Sequence, residues 1–175
     1  GGYPPSRLTP VESLRFEQTA LATSRSEHFI LVLGEYSWEY SLFILQQAQM
    51  LHGANELPLA FRPHPSTDID HSKKRMLEGL ELLEGSLPSA FSSARSAIAG
   101  SFSSSSVDAA LAGLPVSIIP HPDAFPGSPG QSLPGVNLLW ANGSTGASHL
   151  ARAVNPVDMS PDLTMWRETI RRLVK

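Results

Sequence analysis

At 175 residues, with 41% hydrophobic and 17% charged side chains, the chain is long enough for one α/β domain with a core and too short for two. A net charge of −3 argues against a nucleic-acid partner, because phosphate-backbone binders carry a basic stripe. The absence of cysteine excludes disulfides and thiolate metal sites and fits a reducing, cytoplasmic compartment.

No apolar run approaches the roughly 18 residues of a membrane-spanning helix. The basic clusters Lys73-Lys74-Arg75 and Arg171-Arg172 lie close to acids and read as solvated helix ends. The Gly1-Gly2 start reads as a tag remnant or as a domain cut from a longer protein. Residues 1–9 are taken as remnant or linker to a single domain spanning 1–175.

Thr9-Pro10-Val11-Glu12 has the form of a helix start, with Thr at the N-cap, Pro at N1 and Glu at N3, predicting a helix to about Ala22. Phe29 to Leu33 is a continuous apolar run bounded by Gly34, as in a strand buried on both faces. From Trp38 a helical period runs to Gly53, and Leu57 to Arg62 is the second strand. Lys73 to Glu84 admits either one helix or a short helix followed by a strand at Leu80 to Leu83. Pro88 suits the first turn of a helix reaching Ala94.

Ser96 to Gly100, Val116 to Ile119 and Val136 to Trp140 read as further strands, with helices over Ser106–Ala112, Gly146–Val154 and Pro161–Val174. Alternating strands and helices predict a three-layer α/β domain with a mostly parallel sheet and right-handed crossovers. Pro120 to Gly135, with five prolines and three glycines, is the one long irregular segment. It follows a strand and so belongs to the ligand-binding edge.

Two motifs stand out. Arg62-Pro63-His64-Pro65 closes the second strand, with extended backbone enforced by the prolines. Alternation puts Arg62 and His64 on one side of the chain, where a guanidinium and an imidazole N–H suit a phosphate. Ser103-Ser104-Ser105-Ser106-Val107-Asp108 lies between a strand and a helix, and hydroxyls at a helix start suit an anion. Neither a G-x-G-x-x-G nor a Walker A sequence is present. The serines admit a second reading. Ser105 to Asp108 also has the S-x-x-D form of a capping box, which needs no ligand.

The order strand, basic-Pro-His-Pro, strand, serine cluster, helix, Gly-x-Pro-Val, over roughly residues 28 to 155, resembles the nucleotide-binding half of bacterial GT-B glycosyltransferases that use CMP-sugars. These are the Kdo transferases of capsule synthesis and certain bacterial sialyltransferases. The resemblance implies one Rossmann-like half of a GT-B fold that binds a CMP-sugar for surface polysaccharide synthesis. It puts the nucleotide phosphate on His64 and on Ser104 or Ser105, with Arg62, Pro65, Ser103 and Ser106 beside them. The stretch Glu84-Gly85-Ser86-Leu87-Pro88 matches the loop that holds base and ribose, which adds Gly85, Ser86 and Leu87 to the expected contacts. Asp108 is a candidate for the ribose, or else a capping residue.

The same resemblance implies a second Rossmann-like domain as partner, compatible with peripheral contact at the inner membrane. The general base would lie in that other domain, so no catalytic residue is assigned and the isolated chain should bind without turnover. No metal or cofactor is expected, since His28, His52, His71 and His149 lack ligand spacing. A non-catalytic α/β binding module and a GT-B-like UDP-sugar epimerase fragment are the competing readings. Glu35, Tyr36 and Glu39 lie at the end of the first strand, where a carboxylate suits acid–base chemistry, although dipole preference at a helix N-terminus explains Glu39 equally well. His121-Pro122-Asp123 reads as a turn in preference to a substrate contact from the long loop.

Overall fold

The computed structural model describes residues 26–53, 56–123, 133, 135–139 and 164–173. The helices expected over 10–22 and 146–154, and most of the loop over 120–135, lie outside these. In chain order the elements are β1 (Phe29–Leu33), α1 (Trp38–Leu51), β2 (Leu59–Arg62), α2 (His71–Met76), β3 (Glu81–Leu82), α3 (Leu87–Ser93), β4 (Ala94–Gly100), α4 (Ser105–Leu111), β5 (Val116–Ile119), β6 (Val136–Leu138) and α5 (Thr164–Leu173). The six strands form one sheet in the order β3-β2-β1-β4-β5-β6, and every pairing is parallel. This is the doubly wound, Rossmann-like order, with its topological switch between β1 and β4.

The strand sequences follow from burial on two faces. All five residues of β1 are buried, as are all four of β5. Each such aliphatic or aromatic side chain contributes about 1.5–3 kcal/mol. Alternate residues feed two separate cores. Phe29, Leu31 and Leu33 join Ala60, Phe91, Ala97 and Ala109 beneath α3 and α4. Ile30 and Val32 join Ile44, Leu45, Phe61 and Ile98 beneath α1. Helices on both faces of a parallel sheet make the three-layer α/β architecture.

The ambiguous segment after Lys73 resolves into the short helix α2 followed by the two-residue strand β3. Asp70 caps α2 by accepting the Lys73 N–H at 2.9 Å. Strand β4 begins two residues earlier than Ser96, because a bulge opposite Phe29/Ile30 lets Ala94 and Ser96 pair while Arg95 turns out to solvent. An arginine there breaks the apolar run by which a buried strand is read. Among the described residues, no helix is long and apolar enough to cross a membrane.

Candidate functional site

The chain leaves the switch point by two loops, one after β1 and one after β4. Gly34 ends β1 with no room for a side chain. A Cβ there would lie 2.9 Å from His64 N, 3.0 Å from Pro63 Cα and 3.1 Å from Arg62 O, all backbone atoms. The Gly34 N–H donates to Arg62 O at 2.8 Å, carrying the β1–β2 ladder one step past the strands. The Pro-His-Pro segment is thereby drawn tight against β1.

That contact forms one wall of a small cleft of about 30 Å³, lined by Leu33, Gly34, Arg62, Pro63, His64, Pro65, Leu87 and Ser105. Residues from the ends of β1 and β2 and the starts of α3 and α4 thus converge at the carboxyl edge of the sheet. Arg62 and His64 share the cleft, as alternation along an extended chain allows. Among the described residues no acid pairs with the Arg62 guanidinium. No carboxylate is among the described residues that line the cleft.

His64 is held in one tautomer. The Ser66 N–H donates to His64 Nδ1 at 3.2 Å, and Ser66 Oγ sits 2.7 Å from the same atom. With Nδ1 accepting from the backbone, the neutral ring carries its proton on Nε2, as a donor for an oxyanion. The Thr67 N–H closes the turn on His64 O at 2.8 Å, and the Tyr36 ring stands edge-on to the imidazole at 5.6 Å.

The four serines divide by position. Ser103 and Ser106 are buried and belong to the turn: Ser106 Oγ donates to Ser103 O at 2.7 Å, and Ser103 Oγ accepts the Ser105 N–H at 3.3 Å. Ser104 is exposed, and Ser105 is the serine that lines the cleft. The expected capping box between Ser105 and Asp108 is not how α4 begins. The N-cap is Ser104, in helical conformation and without a side-chain cap bond, so Asp108 falls one position beyond the box register. Ser103, one residue further back, supplies the oxygens that meet the first N–H groups. Asp108 is itself buried within α4.

The stretch matched to base and ribose splits in the same way. Leu87 lines the cleft. Ser86 caps α3, its Oγ accepting the Ser89 N–H at 3.3 Å. Gly85 takes a left-handed turn with φ at 93° and nothing within 4 Å of where a Cβ would stand.

Glu35 has a role that sequence pattern did not show. Glu35 is 4% exposed, and its carboxylate accepts the Phe102 N–H at 3.2 Å. Burial pushes its carboxyl above the usual carboxylate range, and the Phe102 N–H pulls the other way. Gly100 makes this possible, because a Cβ on it would overlap Glu35 Oε1. At the other end the Glu35 N–H donates to Ser41 Oγ at 2.8 Å, which returns a bond to Glu35 O. Glu35 therefore joins the β1 loop, the serine loop and α1, rather than presenting a free carboxylate. Glu39 stays exposed beside Ser37, whose hydroxyl holds its carboxyl below the usual range.

His121, at the end of β5, packs against Tyr40 at 4.5 Å and Phe43 at 4.7 Å, and its Nδ1 accepts the Asp123 N–H. Among the described residues, no three His, Asp or Glu side chains gather as metal ligands do.

Searches against family models, curated proteins and solved structures find no match to the chain.

Proposed function

We propose that the chain is the donor-binding domain of a glycosyltransferase for bacterial surface polysaccharide, holding the phosphate of a CMP-sugar between Arg62, His64 and Ser105. The observation that carries this is their convergence. A guanidinium with no acid partner among the described residues, an imidazole fixed as an Nε2–H donor and a hydroxyl line one cleft at the switch-point edge. Charge-assisted bonds from such groups recognise an oxyanion more strongly than neutral ones. Since α4 has only two turns, the selectivity for an anion rests on Arg62 and His64 more than on the helix dipole.

On this reading the chain binds the donor, and the general base belongs to a second Rossmann-like domain facing this edge. Calorimetric titration with CMP, UDP and GDP tests the proposal. Modest binding of CMP, with UDP and GDP weaker, is expected, because half of a cleft covers less of the ligand. Equal binding of all three removes the cytidine claim, and absence of binding removes the proposal.

A further inference from the structure

Two aromatic side chains at this edge are left uncovered. Tyr36 is 78% exposed and Phe102 is 52% exposed, whereas Phe61 and Phe91 are fully buried in the cores. The other large exposed apolar side chains among the described residues are Met50 and Met76, near the ends of α1 and α2, and Ile170 on α5. Scattered residues of that sort are ordinary on a soluble surface. Tyr36 and Phe102 differ in lying on the two loops that diverge at the switch point, joined through the Glu35 to Phe102 hydrogen bond.

Tyr36 stands against the His64 imidazole, and the Phe102 backbone is bonded to Glu35, the residue that follows Gly34 of the cleft wall. The cleft, at about 30 Å³, admits a single small group. Sites that enclose a drug-sized ligand run to roughly 300–1,000 Å³. A nucleotide whose phosphate occupies the cleft must therefore lay its base and sugar on the surface around it.

Phe102 is prepared for such contact. Its ring stacks on Tyr40 at 5.4 Å with 24° between planes, and Tyr40 is backed in turn by His121, itself set against Phe43. A ring braced from behind loses little freedom when a second ring covers its front. Resting on the phosphate reading above, we propose that Phe102 and Tyr36 form a stacking platform for the nucleobase of the bound nucleotide. Stacking of this sort is tolerant of base identity, because every base has a π-face. It supplies affinity, leaving the choice of cytosine to other contacts.

The test is titration of the 175-residue chain with CMP and with ribose 5-phosphate, which keeps the phosphate and lacks the base. In the double variant Tyr36→Ala with Phe102→Ala, CMP affinity should fall about ten-fold while ribose 5-phosphate affinity holds. His64→Ala should weaken both ligands. Phe102→Leu keeps apolar bulk without the π-face and should reproduce most of the loss, which guards against misfolding of the double variant. Unchanged CMP binding in the aromatic variants, with His64→Ala weakening both ligands, overturns the platform and leaves the phosphate site. Failure of the wild type to bind either ligand overturns both. A self-associating wild type made monomeric by the double variant, with CMP affinity unchanged, assigns the rings to contact between copies and overturns the platform.

Discussion

Glu35 and Phe102 are 67 positions apart in sequence, yet the Glu35 carboxylate accepts the Phe102 backbone N–H at 3.2 Å. This bond crosses the switch point and ties the end of β1 to the turn that carries the serines. The Phe102 N–H of that turn is thereby satisfied by the protein's own carboxylate. The side chains that line the cleft and suit an outside anion are Arg62, His64 and the Ser105 hydroxyl.

The first prediction concerns the proton on Glu35. Its folded carboxyl is raised above the ordinary value of 4.5, chiefly by burial. The folded chain thus holds this proton more tightly than the unfolded chain does. The corresponding stability is fully present below the ordinary value and is lost as pH rises through the raised one. Glu35→Gln has no such titration, so its stability relative to wild type should improve as pH climbs from about 4 to 7. Urea unfolding of both proteins across that range checks it. Parallel stability curves would mean that the Glu35 titration does not distinguish the folded from the unfolded chain.

Gly34→Ala should damage fold and cleft together. The added methyl meets three backbone atoms of the Arg62 to His64 segment, which has no flexible side-chain end to swing aside. Crowding of this sort costs about 1–3 kcal/mol, and relief comes only by moving the Pro-His-Pro segment away from β1. We expect a lower melting temperature and weaker CMP binding in the same variant. A destabilised protein with full CMP affinity would show that the close approach does not shape the site.

His64, Ser105 and Ser86 should separate into two classes. His64→Ala removes a charge-assisted donor, a loss of roughly 1.5–3 kcal/mol in nucleotide binding. Ser104→Ala combined with Ser105→Ala should also weaken binding while sparing the fold, since neither hydroxyl caps α4. Ser86→Ala should do the opposite, lowering stability by about 1 kcal/mol through loss of the α3 cap and leaving CMP affinity level. Calorimetry and thermal melts on the three variants give the comparison. Weakened CMP binding in Ser86→Ala would return that serine to the ligand.

Much of this architecture was legible in residue pattern. The largely apolar runs at Phe29 to Leu33, bounded by Gly34, and at Val116 to Ile119, between two prolines, are what strands buried on both faces require. Proline at the start of α3 marks a helix start by chemistry, whereas α2 begins at His71 behind its Asp70 cap, two residues before the Lys73 at which pattern placed it. What escaped was set by tertiary contact. The bulge at Arg95 depends on how β4 meets β1, and the burial of Glu35 depends on Gly100, far away in sequence. The division among the serines was equally hidden, because a run of four identical residues gives no hint of which one starts the helix. The fold of the turn, tied to Glu35 through Phe102, sets Ser103 oxygens against the first N–H groups of α4 and Ser105 in the cleft wall.

The bulge in β4 has a practical use. Arg95 is the exposed residue of a strand whose other six residues are buried, and it lies near that strand's start, at the end of the sheet away from the cleft. A cysteine introduced there would be the chain's only thiol, since the sequence contains none. It gives a single attachment point for a fluorophore or a sensor surface, one that leaves the carboxyl edge open to nucleotides.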